Sequence, residues 1–282
     1  GGTAEQNLDA ALDNLFHHPN VGPFLARRLI QRLVTSNPTP AYVQRVAAAF
    51  DDDNGGAPGG ERGNLGAVVR AILLDVEARE PTTTACSSAA SGCVGKLREP
   101  LLRVTQLFRA LDAQPSHPQG YWREGYLDYY TAQAAMRSPT VFNFFSPDYA
   151  LPGNEIANRG LVSPEFQITT DTYVTRMINE LGGKVGWTWA GNPGLPTSGS
   201  WRPVVVSLNR DMAIAHDPAA LVERYNLLFV GGQMPQNVRN IIVNHVTAEQ
   251  FYSWRTDAET RRIRVQDALW LTLIAPSHVV EK

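Results

Sequence analysis

Lysine stands at only three positions, Lys96, Lys184 and Lys282, so almost all of the positive charge in this 282-residue chain is arginine. Codon bias is one source of such a balance. An arginine-lined anion site is the other, and it requires several of these residues to converge in space. The formal net charge of −2 excludes a general polyanion binder, because phosphate-backbone affinity needs a basic surface, and no nucleic-acid partner is expected. No apolar run approaches the roughly 18–20 residues needed to cross a bilayer, so no membrane span is expected. Several catalytic signatures are also missing: there is no GxSxG elbow, no SxxK tetrad, no P-loop and no GxGxxG.

Cysteine is equally scarce. Cys86 and Cys93 are the only two, set in the small-residue stretch TTTACSSAASGCVGK. A local disulfide between them is the leading expectation and would contribute roughly 2–3 kcal/mol. Free thiols are the alternative, and the spacing with no further ligands disfavours a metal. A disulfide implies export to an oxidising compartment. The opening residues GGTAEQNLDAALDNLF contain no Met, no basic region and no apolar signal core, so the chain reads as starting inside a longer protein.

What is present is globular and helical: 43% hydrophobic and 18% charged residues. Pro23 opens a segment with Phe24, Leu25, Leu29 and Leu33 on one face. Thr39-Pro40 starts a second, burying Tyr42, Val46 and Ala49, and Asn64 caps a third through Leu73. Pro100 begins a fourth with Val104, Phe108 and Leu111. Further periodic stretches run through Tyr173–Leu181 (ended by Gly182-Gly183), Asp217–Phe229 (ended by Gly231-Gly232), Pro235–His245, and Asp257–Ile274 with Ile263, Trp270 and Ile274 inward. The one strand candidate is Val204–Leu208, pairing with Val185–Trp189. The expectation is a mostly α, irregular helical domain with long Pro/Gly-rich loops and at most a small β hairpin. An N-terminal helical segment (1–80), a linker with the cysteines (81–95) and a main body with a turn-rich centre (96–282) would form one compact unit.

Several constellations could carry chemistry. The acidic turn Asp51-Asp52-Asp53-Asn54 offers hard oxygens suited to Ca²⁺, through Asp51, Asp53 and Asn54. An EF-hand reading fails because its twelfth position is Arg62, and a solvated turn needs no ligand. No other cofactor is indicated. Asp148, Glu155 and Glu165 lie near one another along the chain and could serve as acid and base in glycoside hydrolysis; caps and loop anchors are the plainer role. Trp187, Trp189 and Trp201, with Tyr121 and Trp122, sit on loops where planar rings could stack on sugars, or could instead plug a core. The Phe142-Asn143-Phe144-Phe145 group reads as structural, with Asn143 tying a turn. Adjacent His17 and His18 point apart and form no same-face pair. His245 falls on an apolar stripe as a core histidine, and His117 and His278 are isolated in loops.

Three long segments carry a resemblance: NLFHHPNVGPFLARRLIQRLVTSNPTPAYVQRVAAAFDDDNGG with RGNLGAVVRAILLDVEAR; GKLREPLLRVTQLFRAL; and SPTVFNFFSPDY through LVSPEFQI. With the closing RIRVQDALWLTLIAPSHVV, they make nearly the whole chain similar to the C-terminal part of the bacterial DUF 1800 family (domain of unknown function 1800). That family's upstream Asn-Glu-Asn…Ala-Arg-Glu-Leu helix and its His-Asp segment with Lys-Gly are not here; His216-Asp217-Pro218 lacks the Lys and Gly. The resemblance implies a secreted, periplasmic or cell-surface protein. Its implied partners are the missing N-terminal half and a secreted phosphatase/sulfatase-like protein encoded nearby. No activity follows from it. The leading expectation is a binding or assembly domain at the cell surface, with carbohydrate as its ligand class. A hydrolase acting on extracellular polymer, with its site shared with the missing half, is the alternative.

Overall fold

The computed structural model describes residues 2–56, 58–79, 95–115, 119–120, 127–186, 204–248 and 256–281, and it is mostly α-helical. In chain order the helices are α1 (Ala4–Phe16), α2 (Val21–Leu33), α3 (Pro40–Asp51), α4 (Leu65–Leu74), α5 (Val76–Arg79), α6 (Pro100–Ala110) and α7 (Leu127–Thr131). They continue as α8 (Glu155–Asn158), α9 (Asp171–Lys184), α10 (Asn209–Ile214), α11 (Pro218–Val230), α12 (Gln236–Ala248), α13 (Asp257–Ile274) and α14 (Pro276–Val279). The strands are two residues each: β1 (Lys96–Leu97) pairs with β4 (Val280–Glu281), and β2 (Gln114–Pro115) with β3 (Val204–Val205).

The chain divides into two compact units, Gly1–Lys96 with Ser146–Gln167, and Leu97–Phe145 with Ile168–Glu281. The turn-rich centre is therefore split. Its first half, through Phe145, belongs to the second unit; its second half, from Ser146, belongs with the N-terminal helices.

The first unit is built on α2, α3 and α4 around Ala26, Ile30, Tyr42, Val46, Phe50, Val68 and Ile72. Thr39 caps α3 by accepting from the Tyr42 amide at 3.0 Å, and Pro40 follows at the first helical position, as the sequence indicates. Tyr42 is wholly buried and donates its hydroxyl to the Ile72 carbonyl at 2.7 Å, which satisfies its one polar atom. The inward face of α2 is only partly the expected one: Leu25 and Leu29 pack half-buried against the core. Gly22, Ala26 and Ile30, spaced by four, face the core, while Phe24 and Leu33 are exposed. Small residues let α2 lie close against α3, so packing distance overrides side-chain size in choosing the buried stripe.

In the second unit α13 is the central element, packed against α9, α10, α11, α12 and α14. Five consecutive residues, Val265 to Leu269, are buried on it. A helix covered on several sides has no single apolar stripe, which is why the expected inward set of Ile263, Trp270 and Ile274 is only half-buried. Gly182-Gly183 does not end α9, which continues to Lys184. The reason is close approach: a Cβ at Gly182 would lie 3.2 Å from Trp270 Nε1, whose N–H donates to the Ile178 carbonyl. By contrast, Gly231 does terminate α11, in the left-handed region at φ 62°. The strand at Val204 pairs with Gln114–Pro115 and not with Val185, because the Val185 amide is already used in closing α9 on the Leu181 carbonyl.

Candidate functional site

The carboxylates singled out from the sequence each have a cation. Asp148 accepts two bonds from Arg28, at 3.2 and 2.8 Å, and one from Arg27 at 3.4 Å. The Arg28 hydrogen bond holds its carboxyl below the usual range despite some desolvation. A general acid working near neutrality needs the opposite displacement. Glu165 is buried in the 3-10 turn Pro164–Gln167, with its carboxylate 3.6 Å from the equally buried Lys96 Nζ. Glu155 starts α8 and pairs with Arg159 four residues on, its side chain 78% exposed.

A pattern unites Asp148 and Glu165. Gln31 donates to the Pro147 carbonyl at 3.2 Å, and Asn37 exchanges two 2.8 Å bonds with the Val162 backbone. With Arg28–Asp148 and Lys96–Glu165, these contacts tie Ser146–Gln167 onto the first unit's helices. Both carboxylates act as anchors of this run. In the second unit the preceding Phe-rich turn is only partly buried. Phe145 is inside, Phe142 is exposed, and Asn143 takes a left-handed φ of 80° while its amide reaches the buried Glu99 at 3.4 Å.

The acidic turn satisfies itself. Asp51 pairs with Arg62, and Asp52 accepts from the Asn54 and Gly56 amides. Asp53 accepts from the Glu61 amide at 2.8 Å and from Asn64 at 2.6 Å, which lowers its pKa, while Asn54 donates to the Pro58 carbonyl. Among the described residues no group of three or more His, Cys, Asp or Glu side chains is placed to hold a metal ion. Cys86, Cys93, Tyr121, Trp122, Trp187, Trp189 and Trp201, along with His117, lie outside the described residues.

Three further polar groupings lie in the second unit. His245 Nε2 is 2.9 Å from Asp267 Oδ2, joining α12 to α13 with the imidazole 47% exposed. No local pattern announces this pair, since its members are 22 residues apart on separate helices. Asp211, fully buried, accepts from Arg224 Nε at 2.9 Å, and its charge adds to burial in raising the neighbouring Tyr225 hydroxyl's pKa. At the closing end of α13, Arg103 Nη2 and His278 Nδ1 both donate to the Leu273 carbonyl, at 2.9 and 2.8 Å. Arg98 donates to the Phe229 carbonyl at the end of α11. The two arginines thus sit where two helices present their negative ends, which accounts for buried positive charge without a ligand.

The least-covered element is α1. None of its 13 residues is buried. Leu8, Leu12 and Leu15, 59%, 54% and 64% exposed, follow i, i+4, i+7 spacing and form one apolar stripe. Among the described residues, only its last turn is fastened. Phe16 packs edge-on against Phe50 with centroids 6.1 Å apart, and Arg62 lies over both rings while donating to the Phe16 and His18 carbonyls.

The family model described as "Protein of unknown function (DUF1800)" matches residues 1–279, from the start of the chain through α14. The chain belongs to the DUF1800 family. No curated protein and no solved structure matches it. In this DUF1800 chain no helix among the described residues is long and apolar enough to cross a membrane. The family match spans both units, so the free stripe of α1 and the anchored run Ser146–Gln167 are parts of the family region and not appendages to it.

Proposed function

We propose that this chain is a binding and assembly domain of an exported bacterial protein, with α1 as its docking element. One observation carries the proposal: α1 presents a leucine stripe that nothing among the described residues covers. A free helix of this length is marginal in water, so a partner that buried the stripe would also stabilise the helix. The exported location rests on the family resemblance and on the Cys86–Cys93 spacing.

The charge on α1 selects the partner. Glu5, Asp9 and Asp13 recur every four residues beside the stripe, and α1 holds no Lys or Arg. A second copy of α1 would bring like charges together. The complementary surface is an apolar groove rimmed by Lys or Arg on a different polypeptide.

Placing a photo-cross-linking residue at Leu12 and mapping the adducts by mass spectrometry tests this. The expected adduct lies in an apolar segment flanked by basic residues, and it is lost when Asp9→Lys and Asp13→Lys are combined. An upstream half of the same protein and a separately encoded protein are told apart by the mapped peptide. Adducts only to a second copy of this chain, only to lipid, or to nothing would overturn the proposal.

A further inference from the structure

On the second unit, α7 and α9 pack together and bring Tyr129, Tyr173 and Arg176 to one place. Tyr173 and Arg176 are three residues apart on α9 and so share a face. The Arg176 guanidinium carbon lies 3.9 Å from the Tyr129 ring centroid and 5.4 Å from that of Tyr173. Its Nη1 donates to the Tyr129 carbonyl at 3.2 Å. Tyr130 stands edge-on to Tyr129, with centroids 5.0 Å apart, and fixes the ring, which remains 51% exposed.

Several ordered arginines of this chain face carboxylates: Arg28 meets Asp148, Arg45 meets Asp75 and Arg224 meets Asp211, while buried Arg103 meets the Leu273 carbonyl at a helix end. Arg176 differs. Among the described residues it has no carboxylate partner; its contacts are two rings and one carbonyl. The nearest acid along α7, Asp128, is paired with Arg137 at 2.8 Å. Arg176 is therefore a cation held in one orientation by aromatic faces, with hydrogen-bond donors left over for an anion. Ordering a long arginine side chain normally opposes ligand binding, and here stacking has already ordered it.

We infer that Tyr129, Tyr173 and Arg176 form a binding site for an acidic saccharide, with a ring-borne carboxylate meeting Arg176 and the sugar face lying against Tyr129. The planar guanidinium matches a carboxylate with two parallel N–H donations, and an exposed tyrosine ring offers the flat apolar surface that a sugar ring covers. This site belongs to the second unit and α1 to the first, and it stands whether or not α1 docks a partner.

The test is titration of the full chain with trigalacturonate, maltotriose and sodium acetate, read by calorimetry and by NMR shifts of the Arg176 Nε–H. Trigalacturonate is expected to bind with a dissociation constant on the order of 1 mM, while maltotriose and acetate each bind at least about tenfold more weakly. Arg176→Lys keeps the charge but loses the fork, and should weaken trigalacturonate at least about tenfold. Tyr129→Leu should weaken it about fivefold, whereas Tyr129→Phe, which keeps the stacking face and guards against misfolding, should bind as the parent does. Equal binding of acetate or maltotriose, indifference to Arg176→Lys, or no trigalacturonate binding at about 10 mM would overturn the inference.

Discussion

His278 shows how one residue couples burial to pH. It is fully buried, donates Nδ1–H to the Leu273 carbonyl, and has its pKa lowered from 6.5 to about 3 by desolvation and then by Arg98 and Arg103. The unfolded chain therefore takes up a proton near pH 6.5 that the folded chain refuses. Its contribution is whole above pH 6.5 and is lost as pH falls from there towards 3, by about 1.4 kcal/mol per pH unit. Denaturant unfolding should show stability about 2 kcal/mol lower at pH 5 than at pH 7, with His278→Gln removing most of that slope. An unchanged slope in the variant would place the titration elsewhere. Asp75 and Asp148, whose pKa values are lowered first by hydrogen bonds from Arg45 and Arg28, act in a separate window: their contribution is present above about pH 4 and lost below it. The sequence signals neither His278's burial nor the His245–Asp267 pair, because each depends on helices far apart in the chain.

Among the elements, α1 needs a glycine beneath its fastened last turn. Gly63 sits at φ +87°, and a Cβ there would meet the Phe16 ring at 2.7 Å. Gly153 is also left-handed, at φ +79°, but has open space around it. Both alanine variants pay the backbone strain of about 1 kcal/mol or more; only Gly63→Ala also displaces Phe16. Limited proteolysis should therefore cleave Gly63→Ala between α1 and α2 several-fold faster than Gly153→Ala, and equal cleavage would mean that α1 is not held through Phe16. Caps and prolines made most helix starts legible, as at Thr39-Pro40, Asn64 and Asp217-Pro218. Buried faces were less so. On α2 small residues took the core side, and on α13 burial on several sides erased the period. The helix stop expected at Gly182-Gly183 was instead a place where two helices touch.

For the molecule as a whole, the split of the turn-rich run changes what its conspicuous residues mean. Asp148 and Glu165 looked like an acid–base pair because they were close in sequence and polar in a strongly patterned region. Their partners Arg28 and Lys96, together with Gln31 on the Pro147 carbonyl and Asn37 on the Val162 backbone, show that the pattern fastens one segment onto the first unit. An anchor and a catalytic acid draw on the same side chains, and only the identity and distance of the partner separate them. The chain's most distinctive sequence is thus explained by assembly of the fold. Two features left exposed and unexplained by folding are the α1 stripe and the tyrosine–arginine platform on α7 and α9.

Hydrogen–deuterium exchange on the isolated full chain, followed by peptide mass spectrometry, tests the uncovered stripe most directly. A helix with no buried residue and a fastened last turn should exchange within seconds from Ala4 to about Leu12, while α2, α3 and α4 retain protection for far longer. Protection of α1 equal to that of α3 would mean that its leucines are already covered, and α1 could not be the free docking element described.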